Sequence, residues 1–259
     1  MLKKVAFTAN EKRKKGIYNL MKVEGRNSVD ELINSNKTID KVLIQNGLRD
    51  EASRTLINKI KESGAKFIFC EKAVLDKEST TKKHQGFLAY ATDFVYADLG
   101  DVLYNVKDKD GLILILDGIE DTHNLGSIIR VADCAGVDAI IISKRRSASV
   151  NEVVMRISEG SANHVMISRV GNINDAIKKI KEESIWVYAV ELGGENIYKA
   201  NLKGKIALVI GGEDTGVNKL TQSLCDGKLA IPMYGKINSL NASVATAVAV
   251  FEAVRQRNF

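Results

Sequence analysis

Asn124, Gly126 and Arg130 stand in the order N-x-G-x-x-x-R, followed by Ala132. A second polar stretch runs Gly211-Gly212-Glu213-Asp214-Thr215-Gly216, and a third, Asn-Ser-Leu-Asn, carries Ser239 and Asn241. These are groups that handle oxygen atoms. A guanidinium presents a fixed fork of donors and stays protonated, a carboxylate only accepts, and carboxamides and hydroxyls both donate and accept. Glycines let the backbone come close to a ligand. Taken singly, each has an ordinary explanation: Asn124 caps the helix it enters, Arg130 is a surface charge, Glu213 or Asp214 caps the helix that follows, Ser239 is a turn residue and Asn241 an N-cap.

The elements that position these groups read clearly. Apolar runs LILIL (112–116), AIIIS (139–143), HVMIS (164–168), WVYAV (186–190), IALVI (206–210) and KLAI (228–231) alternate with helical segments. Continuous apolar strands between helices predict a parallel sheet covered on both faces. The three polar stretches follow LILIL, IALVI and KLAI, and so fall beyond the carboxyl ends of three strands, where such sheets bind ligands. The chain's one proline, Pro232, and the loop after KLAI lead into an amphipathic helix whose free N–H groups can hold a ligand's oxygens. No G-x-G-x-x-G follows the first strand, so a dinucleotide is not the expected ligand.

Upstream, from about Asn27 to Ala97, SVDELINS, KVLIQ, SRTLINKIKESG and KFIFC predict helix, strand, helix, strand, a small α/β unit. The charged stretch 98–111 is expected to be a linker, which divides the chain into 1–107 and 108–259. Residues 1–110 hold 21 basic against 16 acidic side chains and residues 111–259 hold 17 against 16, so the net +6 is concentrated upstream, with Lys3, Lys4, Lys12, Arg13, Lys14 and Lys15 prominent. Such an excess draws polyanions. Cys70, Cys134 and Cys225, like His84, His123 and His164, are scattered without ligand spacing, which argues against a disulfide framework and a metal site. His84, in a His-Gln-Gly turn, is expected to be structural rather than an RNA contact, and His123 stays outside the catalytic set. With 45% apolar residues, no long apolar run and no signal core, the chain is expected to be soluble, cytoplasmic and free of membrane.

Together the three stretches resemble the motifs of the SpoU family of RNA ribose 2'-O-methyltransferases, TrmH-like members of the SPOUT superfamily. The segment from Gly25 to about Ala97, with GRNSVDEL, IDKVLIQNGLRDE and His84-Gln85-Gly86, resembles the family's N-terminal L30e-like RNA-binding domain. Thr122 stands where the family commonly has proline. The resemblance implies a parallel-sheet α/β domain with a trefoil knot behind an L30e-like α/β domain, a homodimer paired through the knot region, and S-adenosylmethionine as cofactor. It implies a cofactor pocket of Gly211, Ile231 and Leu240 walled by the loop near Leu192 to Glu195, with Leu192 and Gly193 among its binding residues. The implied catalytic set is Arg130 with Asn124, Glu213, Ser239 and Asn241 orienting it and the ribose. The substrate it implies is structured RNA, foremost a guanosine of 23S rRNA, with tRNA as the alternative. A noncatalytic RNA-binding or ribosome-assembly role on the same fold is the reading from another class.

Overall fold

The computed structural model describes residues 21–34, 37–92, 94–213 and 215–259. The basic cluster Lys3, Lys4, Lys12, Arg13, Lys14 and Lys15 lies outside these residues, as does Asp214. Two compact units result: the first takes the chain up to Val95 plus Ser149–Glu152, the second Tyr96–Ala148 and Val153–Phe259.

The first unit runs β1 (Met21–Glu24), α1 (Arg26–Ile33), β2 (Thr38–Gln45), α2 (Glu51–Ser63), β3 (Phe67–Cys70), α3 (Lys72–Glu78) and β4 (Phe87–Thr92). Its sheet has the order β1-β4-β2-β3, with β2 and β3 parallel and the other pairs antiparallel. The Asp50 side chain caps α2 by accepting from Ser53 N, and Gly64 ends it at φ 73°. This helix lays Leu56 and Ile60 onto Val42, Ile44 and Phe87. The sequence reading lacks β1, α3 and β4. β4, FLAYAT, is a central strand buried at every position, so it shows no alternation to betray it. His84 is structural as expected: buried, it accepts from Gly86 N at Nδ1 (3.0 Å), which leaves Nε2 to donate to Asp76 Oδ1 (3.0 Å).

The second unit runs α4 (Leu99–Val106), β5 (Leu112–Asp117), α5 (Thr122–Cys134), β6 (Ala139–Ser143), α6 (Glu152–Ile157), a 3₁₀ turn (Ser161–Asn163), β7 (Met166–Val170), α7 (Ile173–Glu182), β8 (Trp186–Asn196), β9 (Ile206–Gly211), α8 (Lys219–Leu224), β10 (Gly227–Ala230) and α9 (Ala242–Asn258). Its six strands are all parallel in the order β10-β8-β9-β5-β6-β7, the sheet that the apolar runs predict. Ile113, Ile115, Ile141, Val187, Ala207 and Val209 face α7 across one core.

Three expectations are corrected here. The stretch 98–111 is no plain linker: Val102 and Val106 of α4 are fully buried in that same core. Strand HVMIS begins at Met166, because His164 and Val165 close the 3₁₀ turn through hydrogen bonds to Ser161 O. The last helix is apolar around much of its circumference rather than amphipathic, since Ala249, Val250 and Ala253 are buried while Val244 and Phe251 are 48% and 47% exposed. Arg257 fixes its far end by donating to the carbonyls of Asp110, Gly111, Leu202 and Gly204. Among the described residues no helix is long and apolar enough to cross a membrane.

Candidate active site

β5 ends at Asp117, and the chain turns into α5 with Asp121 as N-cap, its carboxylate accepting from His123 N at 2.7 Å. The cap assigned to Asn124 therefore belongs to Asp121. A short acceptor placed before the first helical residue does that work, whereas Asn124 already lies inside the helix. Asn124 is buried and its Oδ1 accepts from Asn241 Nδ2 at 2.9 Å. His123 is exposed.

β9 ends at Gly211, and the loop to Asn218 folds back on itself. Gly216 N donates to Gly212 O, Gly212 N to Asp117 O, Val217 N to Glu191 Oε2 (3.0 Å) and Asn218 N to Asp117 Oδ2 (3.0 Å). A Cβ on Gly211 would lie 2.0 Å from Gly216 C, so no other residue fits at this close approach. The loop holds Glu213 with Oε1 2.6 Å from Asn241 Nδ2.

Asn241 opens α9 and joins the two. Its Oδ1 accepts from Ser243 N (2.9 Å), Val244 N (3.4 Å) and Ser243 Oγ (2.6 Å), while both Nδ2 protons are taken, one by Asn124 Oδ1 and one by Glu213 Oε1. The N-cap and the site residue are thus the same amide used at its two ends. One residue from each of the three polar stretches is brought into a single hydrogen-bonded cluster at the carboxyl edge of the sheet.

Two of the catalytic candidates stand apart from this cluster. Arg130 pairs with Glu159, Nη1 to Oε1 at 2.8 Å, both side chains being more than half exposed. Six residues separate it from Asn124 on α5, which is about 9 Å along the helix and a third of a turn around it. Ser239 has no bond to Arg130, Asn124 or Glu213 among the described residues; it lines a cleft of about 280 Å³ instead. Gly211, Ile231, Leu240 and Leu192 line the same cleft, whereas Gly193, at φ 74°, does not. Glu191 also lines it, a residue that the sequence reading missed because it directly follows the apolar run WVYAV. A larger polar cleft, about 810 Å³, contains Asn124 and shares Gly212, Glu213, Thr215 and Gly216 with the smaller one. Burial pushes the thiol pKa of Cys225 up to about 11, an unreactive state. Among the described residues no cluster of three or more His, Cys, Asp or Glu side chains is arranged to hold a metal ion.

The arrangement offers one cleft with glycine backbone and apolar walls, and a second with carboxylate and amide groups, separated by one glycine-rich loop. Both parts of the chain resemble known proteins. Residues 111–251 match the model of the SpoU rRNA Methylase family, and residues 22–97 match that of the RNA 2'-O ribose methyltransferase substrate-binding domain. A Staphylococcus haemolyticus protein, assigned to the TrmH family of tRNA/rRNA methyltransferases, is 39% identical over 239 residues, covering 91% of this chain and 96% of that protein. The SpoU methyltransferase AviRb from Streptomyces viridochromogenes superposes with a TM-score of 0.60 at 23% identity, over 92% of this chain and 90% of its own. An AdoMet-bound rRNA methyltransferase from Sinorhizobium meliloti does so at 0.59 and 23%, over 91% and 87%.

Proposed function

Because the chain belongs to the SpoU rRNA methylase family of RNA methyltransferases, we propose that it transfers a methyl group from S-adenosylmethionine to a ribose 2'-oxygen of structured RNA, and that its target is a guanosine of 23S rRNA. The observation that carries this reading is the cluster Asn124–Asn241–Glu213, built from three separate stretches and set beside a cleft that fits the cofactor. That fit rests on the apolar side chains of Leu192, Ile231 and Leu240, which suit an adenine ring; Gly211 lines the same cleft and Gly193 does not. When bound, the sulfonium supplies an activated methyl group, so the protein's task is alignment and management of the hydroxyl's proton.

Glu213 carries an acceptor for that proton, since only one of its oxygens is engaged by Asn241. Asn241 and Asn124 fix its position. Arg130, always protonated, cannot serve as a base; we assign it to the phosphate beside the target ribose or to the developing alkoxide, which requires it to exchange Glu159 for RNA. Ser239 is assigned to the cofactor side. Selectivity for RNA follows from the reacting group, because DNA has no 2'-hydroxyl.

We further assign residues 1–107 to RNA binding and 108–259 to catalysis, with the trefoil knot around the cofactor cleft. A homodimer pairs through that region, a reading supported by the exposed apolar side chains of Tyr234, Ile237, Val244 and Phe251 near the cleft and along α9. The test is methylation of 23S rRNA and tRNA transcripts with labelled S-adenosylmethionine, followed by mapping of resistant 2'-O-methyl positions. Label confined to a 23S guanosine is the expected outcome; label in tRNA alone transfers the reading to tRNA, and none in either removes it.

A further inference from the structure

The strand-end loop after β6 reads Lys144-Arg145-Arg146-Ser147 and borders the larger cleft through Arg145 and Arg146. Its backbone is tied down at both ends. Lys144 N donates to Val170 O (2.8 Å), Arg145 N to Ser143 Oγ (3.1 Å), Ala148 N to Ile119 O (2.7 Å), and the Arg169 guanidinium donates to Lys144 O (3.3 Å). Ser147 and Ala148 are each 1% exposed. From this fixed base the two arginines extend into solvent.

Two further observations bear on them. Arg26, Arg130 and Arg255 are each held by a carboxylate, whereas the guanidinium groups of Arg145 and Arg146, like those of Arg49, Arg54 and Arg156, have no hydrogen-bond or ion-pair partner among the described residues; of these five, Arg145 and Arg146 border the cleft. Arg146 also sits at φ 51°, a left-handed conformation that costs a residue with a Cβ roughly 1 kcal/mol or more and that collects at functional sites. The cleft they border contains Asn124 and Glu213, so whatever they hold is next to the reacting ribose. The cleft's other charges are carboxylates: Asp117 and Asp121 are engaged by the backbone N–H groups of Asn218 and His123, Glu213 by Asn241, and Glu120 also lines it.

We propose that Arg145 and Arg146 form an anion site that grips a backbone phosphate of the RNA flanking the methylated nucleotide. The proposal rests on the RNA-methyltransferase reading of the adjoining cluster. Two unpartnered guanidinium forks on a preorganised loop suit the oxygens of a phosphodiester, and fixing them in advance reduces the ordering cost of binding. The phosphate contact is independent of base identity; it sets the register of the strand in the cleft. The other oxyanion available to such a site is the carboxylate of the cofactor, and the experiment separates the two.

Binding of 23S rRNA and tRNA transcripts is measured across a sodium chloride series for the full chain, Arg145→Gln, Arg146→Gly and the double variant, with S-adenosylmethionine affinity measured by calorimetry. Glycine at 146 relieves the left-handed strain while deleting the charge, so melting temperature should hold or rise as RNA affinity falls. The double variant should bind RNA about tenfold more weakly, on the scale of one lost charge-assisted contact. Its plot of log affinity against log salt should flatten by about 0.7–0.9, the value of one phosphate, with cofactor affinity unchanged. Unchanged RNA affinity and slope would overturn the proposal, and so would a fall in cofactor affinity with RNA binding intact. If the wild-type protein binds these RNAs and methylates neither, the methyl-transfer reading fails while a flattened slope still supports the phosphate site.

Discussion

At the scale of single residues, Asn241 is bound at both ends of its amide, and the two ends are separable by substitution. Asn241→Asp keeps an oxygen to cap α9 but sets a carboxylate oxygen against Glu213, where a donor stood. The melting temperature should change little and single-turnover methylation should drop by about a hundredfold, the scale of one lost transition-state hydrogen bond. Asn241→Ala should lose activity and about 1 kcal/mol of stability together. Normal turnover in the aspartate variant would reduce Asn241 to a helix cap. Arg130 invites the opposite design. Its pair with Glu159 is exposed on both sides and so adds about 0–1 kcal/mol to stability. Arg130→Ala should therefore leave melting and cofactor affinity near wild type while abolishing transfer. Arg130→Lys should also be poor, because an ammonium lacks the fork. Full activity in the lysine variant would sink the clamping role.

At the scale of elements, β1 is fastened to the turn after α3 by one carboxylate. Burial raises the pKa of Glu24, but hydrogen bonds from the hydroxyls of Ser79 and Thr81 and from the N–H groups of Thr80 and Thr81 outweigh it and bring the value down to about 2. A carboxyl held below its unfolded value stabilises the fold above pH 4.5 or so and loses that contribution as pH falls toward 2. Amide exchange in β1 and β4 should accelerate over that window, and Glu24→Gln should remove that pH dependence; an unaltered profile would contradict the assignment. Elements also show what was readable in advance. LILIL and IALVI announce buried parallel strands because every residue is apolar, and the glycine-rich loop after IALVI follows from its composition. α4 was legible in principle, with Leu99, Val102, Leu103 and Val106 at helical spacing, but the charges on both sides of it masked the stripe. Asn124, Glu213 and Asn241 were recognisable as a set only through the family's motifs. Their direct bonds, and the absence of Arg130 from them, depend on the phase of α5 over the six residues from Asn124 to Arg130 and on which carboxylate lies closest, and neither can be read from spacing.

At the scale of the whole molecule, the two units imply different places to cut. A fragment 96–259 keeps α4, whose Val102 and Val106 complete the core under the parallel sheet, whereas 108–259 exposes that core. The longer fragment should melt cooperatively and bind S-adenosylmethionine, and the shorter should be less stable by several kcal/mol, the scale of losing two buried apolar side chains and their neighbours. Equal stability of the two would show that α4 is dispensable. Both should have weaker, less salt-sensitive affinity for RNA, because much of the net positive charge is removed with the first unit. The loop 211–217, finally, faces two clefts at once. On the proposed assignment the cofactor and the RNA occupy opposite sides of this partition, and a partition that shifts when one side fills couples the two. Thermodynamic reciprocity then fixes a quantity that titration can check: the factor by which saturating RNA changes the affinity for S-adenosylmethionine must equal the factor by which the cofactor changes the affinity for RNA. A factor different from one makes the order of arrival matter, and the spent cofactor, sharing most of the donor's contacts with that partition, then sets how readily methylated RNA leaves.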